Sequence, residues 1–143
     1  MTIVVGSDHA GYELKLKVCE HLKELGYDIY DVGCDSTDSV DYPVYGHKAG
    51  EALMEGKGEL GMVFCGSGIG ISMAANKVKG VRCALVTSVE MAKLSKQHNN
   101  ANMLSMGGRL VTPELAIEMT DAWLNEEYLG GHHQKRVDML NEL

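Results

Sequence analysis

Short apolar runs alternate along this chain with longer stretches in which apolar residues recur every three or four positions. Residues 2–6, 28–32, 60–65, 81–86 and 103–106 are the short runs, and they read as strands. Between them, Leu14, Val18, Leu22 and Leu25 predict a helix over 12–25 that Gly26 ends. Further helices are predicted over 43–54 and 69–78, after Thr87, and from 113 to about 123. Thr87 with Glu90 fits a capping box, a hydroxyl followed three residues later by a carboxylate. Thr112-Pro113-Glu114 supplies an N-cap, a proline at the first helical position and an acidic first turn. A last short helix is predicted over 137–143.

Strands alternating with helices at this spacing imply a mostly parallel sheet with helices on both faces. The predicted fold is α/β: a three-layer αβα Rossmann-like sandwich around a five-stranded parallel sheet in the order 2-1-3-4-5, plus a C-terminal helix. The apolar character of residues 62–64 and 84–86 suits strands buried on both sides. At 143 residues, with no repeat, low-complexity tract or linker, the chain is expected to be a single domain, 1–143. Residues 131–143 open on the polar run His132-His133-Gln134-Lys135-Arg136. This tail could pack on its own domain and is expected to reach a partner subunit.

In open parallel sheets a ligand sits beyond the carboxyl ends of the strands, where the strand order reverses. With the predicted order, that place lies between the first and third strands. They end in Ser7-Asp8-His9-Ala10-Gly11 and Cys65-Gly66-Ser67-Gly68, so the two loops richest in reactive groups are predicted to meet there. Cys65 closes an apolar run and is followed by alternating glycines before a helix, a turn that gathers unpaired backbone N–H groups able to hold a phosphate or an oxyanion. Gln97-His98-Asn99-Asn100 and Gly107-Gly108-Arg109 are predicted to return near the same edge.

Familiar glycine motifs do not fit. No Gly-Lys precedes a Ser or Thr as in a Walker A loop, Ile71 stands where the dinucleotide fingerprint needs its third glycine, and Cys65 and Ile69 replace the glycines of a serine-hydrolase elbow. A phosphatase loop around Cys65 would need an arginine that residues 71–77 lack.

Charge and cysteine content narrow the class further. The net charge of −7, from 20 acidic against 13 basic residues, argues against a nucleic-acid partner, so any anion must be held locally. No run approaches the roughly 20 apolar residues of a membrane span, and the first residues lack the pattern of a signal peptide; no membrane partner and a cytoplasmic location are expected. Cys19, Cys34, Cys65 and Cys83 form no C-x-x-C pair and no metal-ligand spacing, which predicts reduced thiols and no metal.

Taken together in order, Gly6-Ser7-Asp8-His9-Ala10-Gly11, Asp41-Tyr42-Pro43, Cys65-Gly66-Ser67-Gly68-Ile69-Gly70-Ile71-Ser72, Ala74-Ala75-Asn76-Lys77, Gln97-His98-Asn99 and His133-Gln134-x-Arg136-Val137 resemble ribose-5-phosphate isomerase type B. The wider family includes galactose-6-phosphate isomerase subunits and allose-6-phosphate isomerases. The resemblance implies a cofactor-free aldose–ketose interconversion of a small-molecule sugar phosphate through a cis-enediolate, as in the pentose phosphate pathway. It makes Cys65 the base, as a thiolate favoured by the adjacent helix N-terminus. Backbone N–H groups across Gly66, Gly68, Ile69 and Gly70 would hold the enediolate oxygen. Ser67 would relay a proton or hold Cys65, and His98 assisted by Asp8 would open the furanose ring. The phosphate would fall to His9, Arg109 and Arg136, with Tyr42 and Asn99 also contacting substrate. The resemblance further implies a homodimer or dimer of dimers with shared active sites. His132 stands where relatives often carry arginine, and Ile71 where another branch places a glutamate base.

Each residue also has a plainer reading. Cys65 could be a small buried hydrophobe, Asp8 a helix cap beside a surface His9, His98-Asn99 an ordinary helix end, and Arg109 and Arg136 surface charges. Two alternatives follow: an isomerase of a six-carbon sugar phosphate or a rare free sugar, and a non-catalytic sugar-phosphate-binding module.

Overall fold

The computed structural model describes residues 1–143 as five strands and six helices in alternation. In chain order they are β1 (Thr2–Ser7), α1 (Tyr12–Glu24), β2 (Asp28–Asp31), α2 (Tyr42–Met54), β3 (Leu60–Cys65), α3 (Ile69–Asn76), β4 (Cys83–Leu85), α4 (Val89–Asn99), β5 (Met103–Gly107), α5 (Pro113–Asn125) and α6 (His133–Glu142). All strand pairs are parallel, so the α/β sandwich expected from the pattern is what forms.

The strand order is β2-β1-β3-β5-β4, which corrects the predicted order at its last two places. The physical reason lies in burial. Every residue of β5 is buried, which suits a place with a hydrogen-bonded neighbour on each side, whereas the three residues of β4 are all half-buried and suit an edge. The Asn76 side chain covers part of that edge, bonding the Cys83 N–H at 2.8 Å and its carbonyl at 2.9 Å.

Side-chain alternation splits the core in two. Ile3, Val5, Met62, Phe64, Leu104 and Met106 face Leu14, Val18, Leu22, Ala116, Met119 and Trp123 of α1 and α5. Val4, Val63, Cys65 and Met103 face Ala49, Leu53, Ile71 and Ala75 of α2 and α3. Cys65 therefore points to the same face as Val63, under the first turn of α3.

Helix starts follow backbone conformation. Thr112 caps α5 as expected, its Oγ1 accepting from Leu115 N at 3.1 Å. The cap of α4 is Ser88 and not Thr87. Ser88 has the extended backbone a cap requires, and its Oγ accepts from Met91 N at 3.1 Å. Helix α6 starts at His133, four residues before the predicted start at 137, with His132 as its cap after Gly130 and Gly131, both at positive φ. It lies against α4 of its own chain, and Val137 is its one buried residue.

Candidate active site

Three strand ends meet at the carboxyl edge of the sheet. The register pairs Ser7 with Phe64 and Cys65 with Gly107, so β1, β3 and β5 stop at nearly the same level. After β1, Asp8 N donates to Phe64 O at 3.1 Å, and Asp8 Oδ1 accepts from the N–H groups of Ala10 and Gly11 at 2.9 and 3.0 Å. The carboxylate is buried and organises the turn ahead of α1, whose own cap, Gly11, makes no side-chain bond. Gly11 packs so closely on the Phe64–Cys65 peptide that a Cβ would overlap it, which is how the first loop is pressed against the second.

The second loop turns sharply at Gly68, at φ +80°, and folds back on Cys65. Gly68 N donates to Cys65 Sγ at 3.1 Å, and Ser105 Oγ donates to Gly68 O at 2.6 Å from beneath. Ile69 N donates to Ser67 Oγ at 3.2 Å. The amides predicted to hold an oxyanion are thus partly spent inside the loop: those of Gly68 and Ile69 are engaged, while those of Gly66, Ser67 and Gly70 have no partner in the chain. The third loop locks on by Gly108 N to Cys65 O at 2.8 Å and Arg109 N to Gly66 O at 3.0 Å. Arg109 runs along the bare face of Gly66, where a Cβ would stand 3.5 Å from its Nη1.

These loops enclose a cleft of about 650 Å³ lined by Asp8, His9, Ala10, Tyr42, Cys65, Gly66, Ser67, Ile69, Gly70, Met73, Arg109 and Leu110. Cys65 is only 4% exposed, and it lines this cleft between the ends of β1 and β3. The Tyr42 ring lies against Gly70. Met73 and Leu110 were not anticipated from the sequence. The one available signal was Ile69 with Met73 at i, i+4 on a helix whose core face is already supplied by Ile71 and Ala75; both stay exposed.

His98, Asn99, His132 and Arg136 are not in this cleft. The expectation that the end of α4 returns to the same edge as Cys65 is corrected, because a helix after a parallel strand runs back and ends at the amino edge. Asn99 O accepts from Arg82 Nε at 3.1 Å just before β4, and Gly61, near the start of β3, donates to Asn102 O at 2.9 Å. Four residue steps of strand lead from Gly61 to Cys65, roughly 13 Å. At that far edge His98 stacks on His133, ring centroids 4.4 Å apart, and His132 lies 4.1 Å from His133. Packing against the neighbouring rings, with the charges of His132, His98 and Arg136 behind it, holds the His133 imidazole below its ordinary range.

A second concavity of about 530 Å³ lies near the same amino edge, between Val78, Val81, Arg82, Cys83, Leu140 and Leu143. Burial pushes the Cys83 thiol up to about 12, which disfavours its reactive thiolate form. No group of three or more His, Cys, Asp or Glu side chains is arranged to hold a metal ion, and no helix is long and apolar enough to cross a membrane.

Comparison with known proteins agrees with this geometry. The profile of the ribose/galactose isomerase family matches residues 3–140. The chain is 41% identical over 141 residues to ribose-5-phosphate isomerase B of Escherichia coli strain K12, covering 99% of this chain and 95% of that protein. The structure of Clostridium thermocellum ribose-5-phosphate isomerase B superposes with a TM-score of 0.97 at 46% identity, covering 99% and 96% of the two chains. Ribose-5-phosphate isomerase B from Mycoplasma genitalium, with ribulose-5-phosphate bound, superposes with a TM-score of 0.94 at 39% identity, covering 99% and 94%.

Proposed function

The chain belongs to the ribose/galactose isomerase family and is an aldose–ketose isomerase; from that premise we propose that it interconverts ribose 5-phosphate and ribulose 5-phosphate with Cys65 as the base. The observation that carries this reading is the floor of the cleft. A thiol there accepts the Gly68 N–H, beside three unpartnered amides that can take up negative charge.

In the open-chain aldose, the Cys65 thiolate takes the proton from C2. The electron pair forms the C1=C2 bond and leaves charge on O1, facing the amides of Gly66, Ser67 and Gly70. Ser67 Oγ moves a proton from O2 to O1, and Cys65 returns its proton to C1, giving the ketose. Arg109 and His9 line the phosphate end of the same cleft. Ring opening needs a further acid–base group, because His9, the one imidazole of this cleft, is held by Val40 N and assigned to the phosphate, and a second copy of the chain supplies it. We assign His98, Asn99, His132 and Arg136 to the partner's contribution in a homodimer or dimer of dimers, with Asp8 supporting His98 across the interface. The placement of those residues at the opposite sheet edge, and the exposed apolar rim of Met73 and Leu110, support that arrangement.

Cys65→Ala should abolish isomerisation while the variant still binds ribose 5-phosphate. A substrate panel of ribose 5-phosphate, allose 6-phosphate, galactose 6-phosphate and the free sugars tests the rest. Turnover of free sugars alone overturns the phosphate roles of Arg109 and His9, and turnover of a six-carbon phosphate alone moves the assignment to that sugar.

A further inference from the structure

Lys15 is fully excluded from solvent, and the chemistry above makes no use of it. Its ammonium donates to Asp31 Oδ1 at 2.9 Å and to the Cys34 carbonyl at 2.6 Å, and it lies 5.3 Å from the centre of the Tyr12 ring. Two of its N–H groups thus have oxygen acceptors, one of them a carboxylate, and an aromatic face lies near the third side, which offsets the burial of such a charge. What it holds is the root of the segment joining β2 to α2. Asp31 Oδ1 also accepts from Gly33 N at 2.8 Å, and Cys34 Sγ reaches Ser36 O at 3.3 Å.

The far end of that segment enters the active site. Val40 N donates to His9 Nδ1 at 3.1 Å, and Tyr42, two residues on, lays its ring against Gly70 in the cleft. An imidazole nitrogen that accepts an N–H carries no proton of its own, so the hydrogen of the neutral His9 ring sits on Nε2.

We propose that Lys15 is a positioning residue for the cleft: by pinning the root of the 32–41 loop it keeps Val40 on His9 and holds His9 in its Nε2–H tautomer. His9 then offers an anion a directed hydrogen bond, and Arg109 supplies the charge. The isomerase reading enters only in naming the anion; the tautomer belongs to the free protein.

The experiment records ring nitrogen-15 spectra of the histidines and steady-state kinetics for the full chain, Lys15→Met and Asp31→Ala. Wild-type His9 is expected to show the Nε2–H pattern. Lys15→Met should convert it to a mixture of tautomers, with KM for ribose 5-phosphate up about tenfold and kcat within about threefold. Asp31→Ala, at a partly exposed position, should give the same change at smaller size, and it decides the matter if Lys15→Met does not fold. A wild-type His9 bearing its proton on Nδ1, or an Nε2–H pattern unaltered in the folded variants, overturns the proposal. Wild type that does not turn over ribose 5-phosphate overturns the substrate assignment instead and leaves the ring spectra to decide this one.

Discussion

The Cys65 cluster and the His98 cluster sit at opposite edges of one sheet and are held in different ways. Around Cys65 nearly every anchor is backbone: Asp8 N on Phe64 O, Gly108 N on Cys65 O, Arg109 N on Gly66 O, and Gly68 N on the sulfur itself. Around His98 the anchors are side chains, namely the His133 ring, the buried Val137, and Arg82, which reaches Gly80 O, Asn99 O, Asn100 O and Asn141 Oδ1. The first cluster has a thiol, free amides, the His9 imidazole and one guanidinium. The second has the His98, His132 and His133 imidazoles but no thiol in contact with them. A strand end is placed by ladder hydrogen bonds that no single side chain provides, whereas the junction of α4 with α6 depends on particular residues that substitution removes one at a time.

The sharpest test of this comparison is complementation. Cys65→Ala and His98→Ala should each lower kcat/KM by about two to four orders of magnitude. Unfolded and refolded together in equal amounts, the two inactive variants should regain about a quarter of wild-type activity, because half the dimers are mixed and each mixed dimer keeps one intact site. No regain would break the idea that the two edges meet across subunits.

Next in size, Gly68→Ala probes the backbone-held side. A Cβ there meets Leu85 Cδ1 and the Met106 carbonyl carbon at 2.8 Å on a backbone at φ +80°. Urea unfolding should show a loss of about 1–3 kcal/mol, together with loss of turnover from the displaced amide on Cys65. Arg82→Ala probes the other side, and should cost about 1–3 kcal/mol by leaving the carbonyls at the end of α4 without their donor. Its activity should fall in the His98-dependent step while thiol titration of Cys65 is unchanged.

The smallest effect is on pH dependence. His133 has a folded pKa below its ordinary 6.5, so between the two values the unfolded chain binds the extra proton and stability rises with pH. Acidification through and below 6.5 should therefore weaken the contact of α6 with α4, and His133→Asn should flatten that slope in thermal melts across this range.

Much of the fold was legible because its periods are local. The buried runs ending at Ser7 and Cys65, the stop at Gly26 and the cap at Thr112 each depend on residues within a few positions of one another. Thr87 and Ser88 carry the same hydroxyl chemistry, and only the backbone angles at Ser88 decided which one caps α4. Of the site, Asp8, His9, Cys65, Gly66, Ser67 and Arg109 were legible as groups at the ends of strands, and the switch point between β1 and β3 brought them together. Met73 and Leu110 were hidden, since an exposed apolar side chain looks the same in sequence whether or not it rims a cleft.

By itself the chain's pattern of apolar and polar residues determined the alternation of strands and helices, the parallel sheet and the reactive loop at Cys65, because hydrogen-bond period and burial are set by neighbours in sequence. The placement of β5 beside β3, the seating of Arg109 over Gly66, the ring of His9 held by Val40 and the separation of His98 from Cys65 were decided by the tertiary structure. A crossover helix can skip a strand at little local cost, so which strand becomes the neighbour depends on how deeply each can be buried once the whole sheet is packed.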